Sequence, residues 1–261
     1  MIPQPVLVFS GHDPTGGAGI QADIETLFQA QAHAIPIITC LTVQDSHNVY
    51  QLIPLSAQQI SQQVAPVLAD LHPKVIKLGL LGSIEVMDAV MAVLRQHPDL
   101  PVVLDPILAA GGGKDFSQQD LITHMRENLV PLTTIITPNS EEARRLTGES
   151  QLDKAAEVLL QQGCSAVLIT GTHENSPEVS NCLYQAQKPP QILHWPRLAG
   201  SYHGSGCTLS SAIAAYLAHG FDLNDATKKA QAYTWRSLQA GYRLGQGQFF
   251  PQRRVGCNIS V

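Results

Sequence analysis

Short apolar runs rich in β-branched residues alternate with segments whose apolar residues recur at helical spacing, and this alternation restricts the fold more than any other feature of the chain. Val6-Leu7-Val8-Phe9, Ile35 to Val43, Val75 to Leu81, Val102-Val103-Leu104, Thr133 to Thr137 and Ala166 to Thr170 read as strands. The continuous apolar ones fit burial on both faces of a sheet. Helices are predicted from Ile20 to near Ala32, from a Ser56 cap onward, and from a Ser83 cap with Met87, Val90, Met91 and Leu94 facing inward. Others follow over Leu121 to Leu129, from Pro138 to Gly148, over Leu152 to Gln162, after the turn at Gly204, and from Leu223 to Leu244. Residues 181–196 suggest a hairpin, and the tail from Phe249 carries no clear signal. Such alternation demands right-handed crossovers and a mainly parallel sheet covered by helices on both faces, here as one domain spanning residues 1–261.

Composition narrows the function. Charged residues are 14% of the 261, the net charge is -5 and aromatics are 5%. An acidic chain with few rings suits neither nucleic acid nor an anionic membrane as its main partner. The five cysteines include no Cys-x-x-Cys pair and are odd in number, so a reducing cytoplasm is expected rather than a disulfide framework. Met1 to Pro5 has no basic region, and no signal peptide is expected.

Two glycine-rich turns run into helices. Gly11-His12-Asp13-Pro14-Thr15-Gly16-Gly17-Ala18-Gly19 lacks the Lys and Ser/Thr of a P-loop. Gly17-x-Gly19-x-x-Ala22 resembles a dinucleotide fingerprint but begins well beyond the strand end, which argues against it. In His203-Gly204-Ser205-Gly206-Cys207-Thr208, the first-turn amides of a helix converge on one point, where the helix dipole favours an anion. A thiolate at Cys207 would be favoured there as well. Asp23 points either at a ligand in the first glycine loop or at the dipole of its own helix. Gln44, at a strand's carboxyl end, either reads a heterocycle through its amide or is an ordinary loop residue. Asp105 ends a strand. Asn139 with Glu142 matches a capping box, which accounts for the pair without a metal.

The stretch Ser10 to Asp23, Gln44, Asp105-Pro106, Thr137 to Ala143 and His203 to Ser210 together resemble the hydroxymethylpyrimidine/phosphomethylpyrimidine kinase family, in order and spacing over nearly the whole chain. The resemblance implies a ribokinase-like three-layer α/β/α sandwich with a mainly parallel central sheet. It also implies ATP-dependent phosphorylation of 4-amino-5-hydroxymethyl-2-methylpyrimidine and of its monophosphate in thiamine biosynthesis. Gly11, Asp23 and Gln44, with Gly79, Leu80 and Ile107, would line the pyrimidine pocket. Gly204, Ser205, Gly206 and Cys207 would cradle the transferring phosphoryl group, with Cys207 either a base or a shaper of the pocket. Asp105 and Glu142, with Asn139, would organise Mg²⁺, and Thr137, Thr170 and Gly171 would approach ATP. A homodimer follows from the same resemblance. The chain departs from the family at Thr170, where Lys is common, and at Ala110-Gly111-Gly112-Gly113, which lacks the usual Lys; Lys114 stands nearby. Pyridoxal kinase of the same fold and a non-catalytic pyrimidine-binding protein are the alternative readings.

Overall fold

The computed structural model describes residues 2–108 and 119–256. The triglycine loop and Lys114 lie outside them. In chain order the elements are β1 (Gln4–His12), α1 (Gly19–Gln29), β2 (Ala32–Gln44), β3 (Val49–Pro54), α2 (Ala57–Asp70), β4 (Val75–Leu78), α3 (Ile84–Gln96) and β5 (Val102–Leu104). Then come α4 (Gln119–His124), β6 (Ile135–Ile136), α5 (Ser140–Thr147), α6 (Leu152–Gln161), β7 (Ala166–Thr170), β8 (Glu178–Gln185), β9 (Gln191–Pro196), α7 (Ser205–Ala218) and α8 (Leu223–Gln239).

The strands form one sheet in the order β3-β2-β1-β4-β5-β6-β7-β8-β9. The six from β2 to β7 pair in parallel. β3 joins one edge antiparallel, and the β8–β9 hairpin joins the other. Alternation along β1 explains its unbroken apolar run. Leu7 and Phe9 enter the core beneath α2, α3, α5 and α6, whereas Val6 and Val8 enter the core beneath α1, α7 and α8. The three-layer α/β/α architecture follows from these two cores.

Local chemistry sets several boundaries. Ser56 and Gln59 form a reciprocal capping box at the start of α2, and Ser83 caps α3. Asn139 and Glu142 form the box that starts α5, and Gly148 ends that helix in a left-handed conformation. After α4 the backbone widens into a π-helical turn over Met125–Leu129. Several boundaries differ from expectation: α1 stops at Gln29, β2 already begins at Ala32, and β6 is only Ile135–Ile136. The strand from Val75 stops at Leu78, one residue before the last backbone bond to β1, which the Gly79 amide donates to Phe9 O at 2.8 Å. The last helix stops at Gln239 instead of Leu244, because Tyr242 turns back to pair with Phe250.

Because the central strands are parallel, their carboxyl ends meet along one edge. That edge gathers the residues after β1, β2, β4, β5, β6 and β7, and α7 starts against it.

Candidate active site

Two glycine turns distant in sequence build one wall. Asp13 folds the first by accepting hydrogen bonds from the Thr15 and Ala18 amides, both at 2.8 Å, and from Thr15 Oγ1 at 3.0 Å. His203, just before the second turn, lies 2.7 Å from Asp13 through Nε2. Burial alone would raise the Asp13 carboxyl; the His203 hydrogen bond and charge, with the Thr15 bonds, hold it at about 2. Arg253 bridges both turns, donating to Gly17 O and, at 3.0 Å, to Thr208 Oγ1. Gly204 has φ +74, and a Cβ there would strike Gly17 O. Only glycine lets the two turns close this tightly.

The first intrahelical bond of α7 runs from the Thr208 amide to Gly204 O at 3.0 Å. The Ser205, Gly206 and Cys207 amides precede it and are free of the helix's own ladder. A Cβ on Gly206 would lie 3.3 Å from Asp105 Oδ1, so the turn abuts the tip of β5. Asp105 is buried and receives hydrogen bonds from Ser210 Oγ at 3.4 Å and from the Cys207 thiol.

These groups open into a cavity of about 520 Å³. Gly11, Gln44, Leu80 and Ile107 line it on the side of β1, β2, β4 and β5. Asp105, Gly204, Ser205, Gly206 and Cys207 line its middle. Thr137, Asn139, Glu142 and Thr170 continue toward β7. Beyond them stand Trp195 and Trp235, with ring centroids 6.1 Å apart. The Trp195 indole donates to Gln231 Oε1 at 3.1 Å. Paired indoles present a flat apolar wall, a surface suited to a planar ring.

Three expected residues lie outside this cavity. Asp23 is fully buried, with Oδ1 2.8 Å from Lys77 Nζ and accepting from Ser211 Oγ at 2.6 Å. The signal was Lys77, a cation inside the apolar run of β4, which requires a buried partner. Gly79 lies beneath the cavity floor, where a Cβ would come within 2.7 Å of both Lys77 Nζ and Ser10 Oγ. Gly171 packs its Cα against Ser180 O and donates its amide to Asn181 Oδ1 at 3.2 Å. Conversely, Asp13, His203 and Arg253 organise the site although sequence reasoning gave them no role. The first two stood inside the quoted glycine motifs, and Arg253 lay in the tail that carried no signal.

The electrostatics reverse one expectation. Burial pushes the Cys207 thiol up to about 12, with nearby Asp105 and Asp23 adding to the rise and Lys77 opposing it. The helix N-terminus therefore does not make this group a thiolate in the ligand-free chain. Burial also lifts Asp105 to about 6. Glu142 rises to about 8, through burial first and then the charge of Asp105. Two neighbouring carboxylates that disfavour joint ionisation form a donor set that a divalent cation would relieve. Glu142 Oε2 also accepts from the Asn139 amide at 2.9 Å, so it holds the helix start as well.

Comparison with known proteins identifies the family. The sequence profile of the family described as phosphomethylpyrimidine kinase matches residues 13–252. The hydroxymethylpyrimidine/phosphomethylpyrimidine kinase of Rhizobium meliloti is 34% identical over 248 residues, covering 93% of each chain. Among solved structures, a pyridoxal kinase from Bacillus subtilis in complex with ADP superposes with a TM-score of 0.89 at 27% identity, covering 96% of this chain and 97% of that one. A phosphomethylpyrimidine kinase from Clostridium difficile gives 0.77 at 30% identity, covering 88% and 97%. With the profile matched from the first glycine turn to the tail beside Arg253, the chain belongs to the phosphomethylpyrimidine kinase family and is a phosphotransferase.

Proposed function

We propose that this chain phosphorylates 4-amino-5-hydroxymethyl-2-methylpyrimidine with ATP, and then phosphorylates the monophosphate, as a step of thiamine biosynthesis. The observation that carries the reading is the start of α7. Its amides face the same cavity that Gln44 enters from one side and the two indoles wall from the other. A heterocycle beside Gln44 and a nucleotide base beside Trp195 and Trp235 would place the hydroxymethyl and the γ-phosphate near the turn at Gly204.

Phosphoryl transfer asks the protein mainly for position and charge stabilisation. The Ser205, Gly206 and Cys207 amides would take the equatorial oxygens, which carry more charge in the transition state than before it. Cys207, with its thiol donated to Asp105, shapes this cradle and acts as a neutral group. Gln44 and Leu80 would orient the ring, and Thr137, Asn139 and Thr170 would border the phosphates of ATP. Asp105 and Glu142 suit Mg²⁺ held largely through water, since that ion takes few carboxylates and shares itself with phosphates; bound there, it would neutralise phosphate charge. Among the described residues no His/Cys/Asp/Glu group of three or more is placed to hold a metal ion by itself.

Mass analysis of products after incubation with ATP, Mg²⁺ and the pyrimidine alcohol tests the proposal. Addition of two phosphates is the expected result, one phosphate restricts the activity to the first step, and an unchanged alcohol refutes it. The pyridoxal kinase superposition supports a second reading, in which pyridoxal is also accepted. Side-by-side kcat/KM values decide between them, with the pyrimidine expected to be preferred. We also propose a homodimer, checked by sedimentation. No described helix is long and apolar enough to cross a membrane. From the cysteine usage we also propose a cytoplasmic location.

A further inference from the structure

Lys77 and Asp23 form an ion pair in which both side chains are fully buried. Beyond that pair, Lys77 Nζ, Asp23 Oδ2 and Ser10 Oγ have no hydrogen-bond partner among the described residues. Taking two charges out of water in this way costs free energy that a well-packed apolar pair would not. What the pair supplies, and apolar side chains cannot, is charge at a fixed place.

That place is directly behind the phosphoryl cradle. Lys77 shares the α7-facing side of β4 with Val75, two residues earlier. Its partner Asp23 is gripped by Ser211 on α7. Ser211 lies four residues after Cys207 and therefore on the same helix face, one turn deeper. The adjacent Ser210 holds Asp105. A chain of contacts thus runs from Lys77 through Asp23 and Ser211 to the helix turn that opens the cradle. We propose that Lys77 is a positioning residue for phosphoryl transfer: its ammonium, clamped one turn behind Gly204–Cys207, offsets the negative charge that gathers there as the phosphoryl group moves.

This inference rests on the proposed transfer, so wild-type turnover of the pyrimidine alcohol is the control; without it, the functional reading fails before the role of Lys77 is at issue. The decisive variant is Lys77→Met combined with Asp23→Asn. Replacing both partners by neutral groups of similar shape leaves no orphaned charge, so the melting temperature should stay close to wild type. The inference requires kcat to fall about tenfold or more while KM for the pyrimidine stays within about threefold, the signature of an interaction felt mainly in the transition state. A folded double variant with a kcat within about twofold of wild type overturns it. If that double variant does not fold, Lys77→Gln combined with Asp23→Asn, which keeps hydrogen-bonding groups at both positions and orphans no charge, is read by the same criteria, and a kcat within about twofold of wild type overturns the assignment.

Discussion

Gly204 offers a direct measure of how closely the two glycine turns are fitted. Its φ is +74, and an added Cβ would meet Gly17 O as well as Arg253 Nη2 at 2.9 Å. Gly148 has nearly the same φ, +77, with nothing within 4 Å. Gly148→Ala should therefore cost only the left-handed backbone preference, about 1 kcal/mol. Gly204→Ala adds the collision, so it should cost about 3 kcal/mol and remove most of kcat; urea denaturation and turnover check the pair. At Cys207 the buried, neutral thiol argues against a base, and Cys207→Ser, which keeps a hydrogen-bonding group toward Asp105, should retain kcat within about tenfold. A loss of about a thousandfold in steady-state assays would restore the base. The convergence of residues on one cavity was legible where strand ends and small-residue turns fix them, as with Gln44, Asp105 and Gly204–Cys207. Asp23 misled because a carboxylate near a glycine loop reads the same whether it faces a ligand or a buried lysine, and the lysine is 54 residues away by the numbering of the chain.

Elements were easiest to read where local chemistry decides them. The Ser56 and Ser83 caps, the Asn139 box and the Gly148 stop are set within a few residues, and the structure keeps each of them. β3 was not foreseen: its residues are mostly exposed, and it is held by pairing with β2 rather than by an apolar face. The over-long last helix and the unread tail share one cause, a long-range contact that leaves no local trace. Phe249 and Phe250 pair back onto Tyr202 and Tyr242, which delivers Arg253 to its buried position. There its guanidinium ties α1, through Glu25, to the first glycine turn and to α7. Arg253→Met should therefore destabilise the fold by about 3 kcal/mol, since it leaves Gly17 O and Thr208 without their buried partner. It should also weaken pyrimidine binding, because the two turns lose their common brace. Chemical denaturation and calorimetric titration with the pyrimidine measure the two effects.

At the scale of the whole molecule, the carboxylates of the site pull stability in opposite directions with pH. Asp13 titrates at about 2 in the fold against 3.8 for the ordinary group, so the native state binds fewer protons between these values. Its contribution, about 2 kcal/mol, is fully present above pH 4 and disappears as pH falls through 2. Asp105 and Glu142 behave in the reverse sense. Their native values of about 6 and about 8 lie above the ordinary 3.8 and 4.5, so the folded chain holds their protons longer and loses stability as pH rises across those intervals. Together the three groups predict a ligand-free enzyme most stable near pH 4 and weaker at pH 8 than at pH 5, which is unusual for an acidic chain. Asp13→Asn should remove the acid limb, and Glu142→Gln should flatten the decline between pH 5 and 8. The cause of that decline also predicts its cure. A divalent cation prefers both carboxylates ionised, so Mg²⁺ with nucleotide should raise the melting temperature more at pH 8 than at pH 5. A ligand shift independent of pH, or a wild-type melting temperature that climbs steadily from pH 4 to pH 8, would mean that burial does not hold the protons of Asp105 and Glu142 into this range.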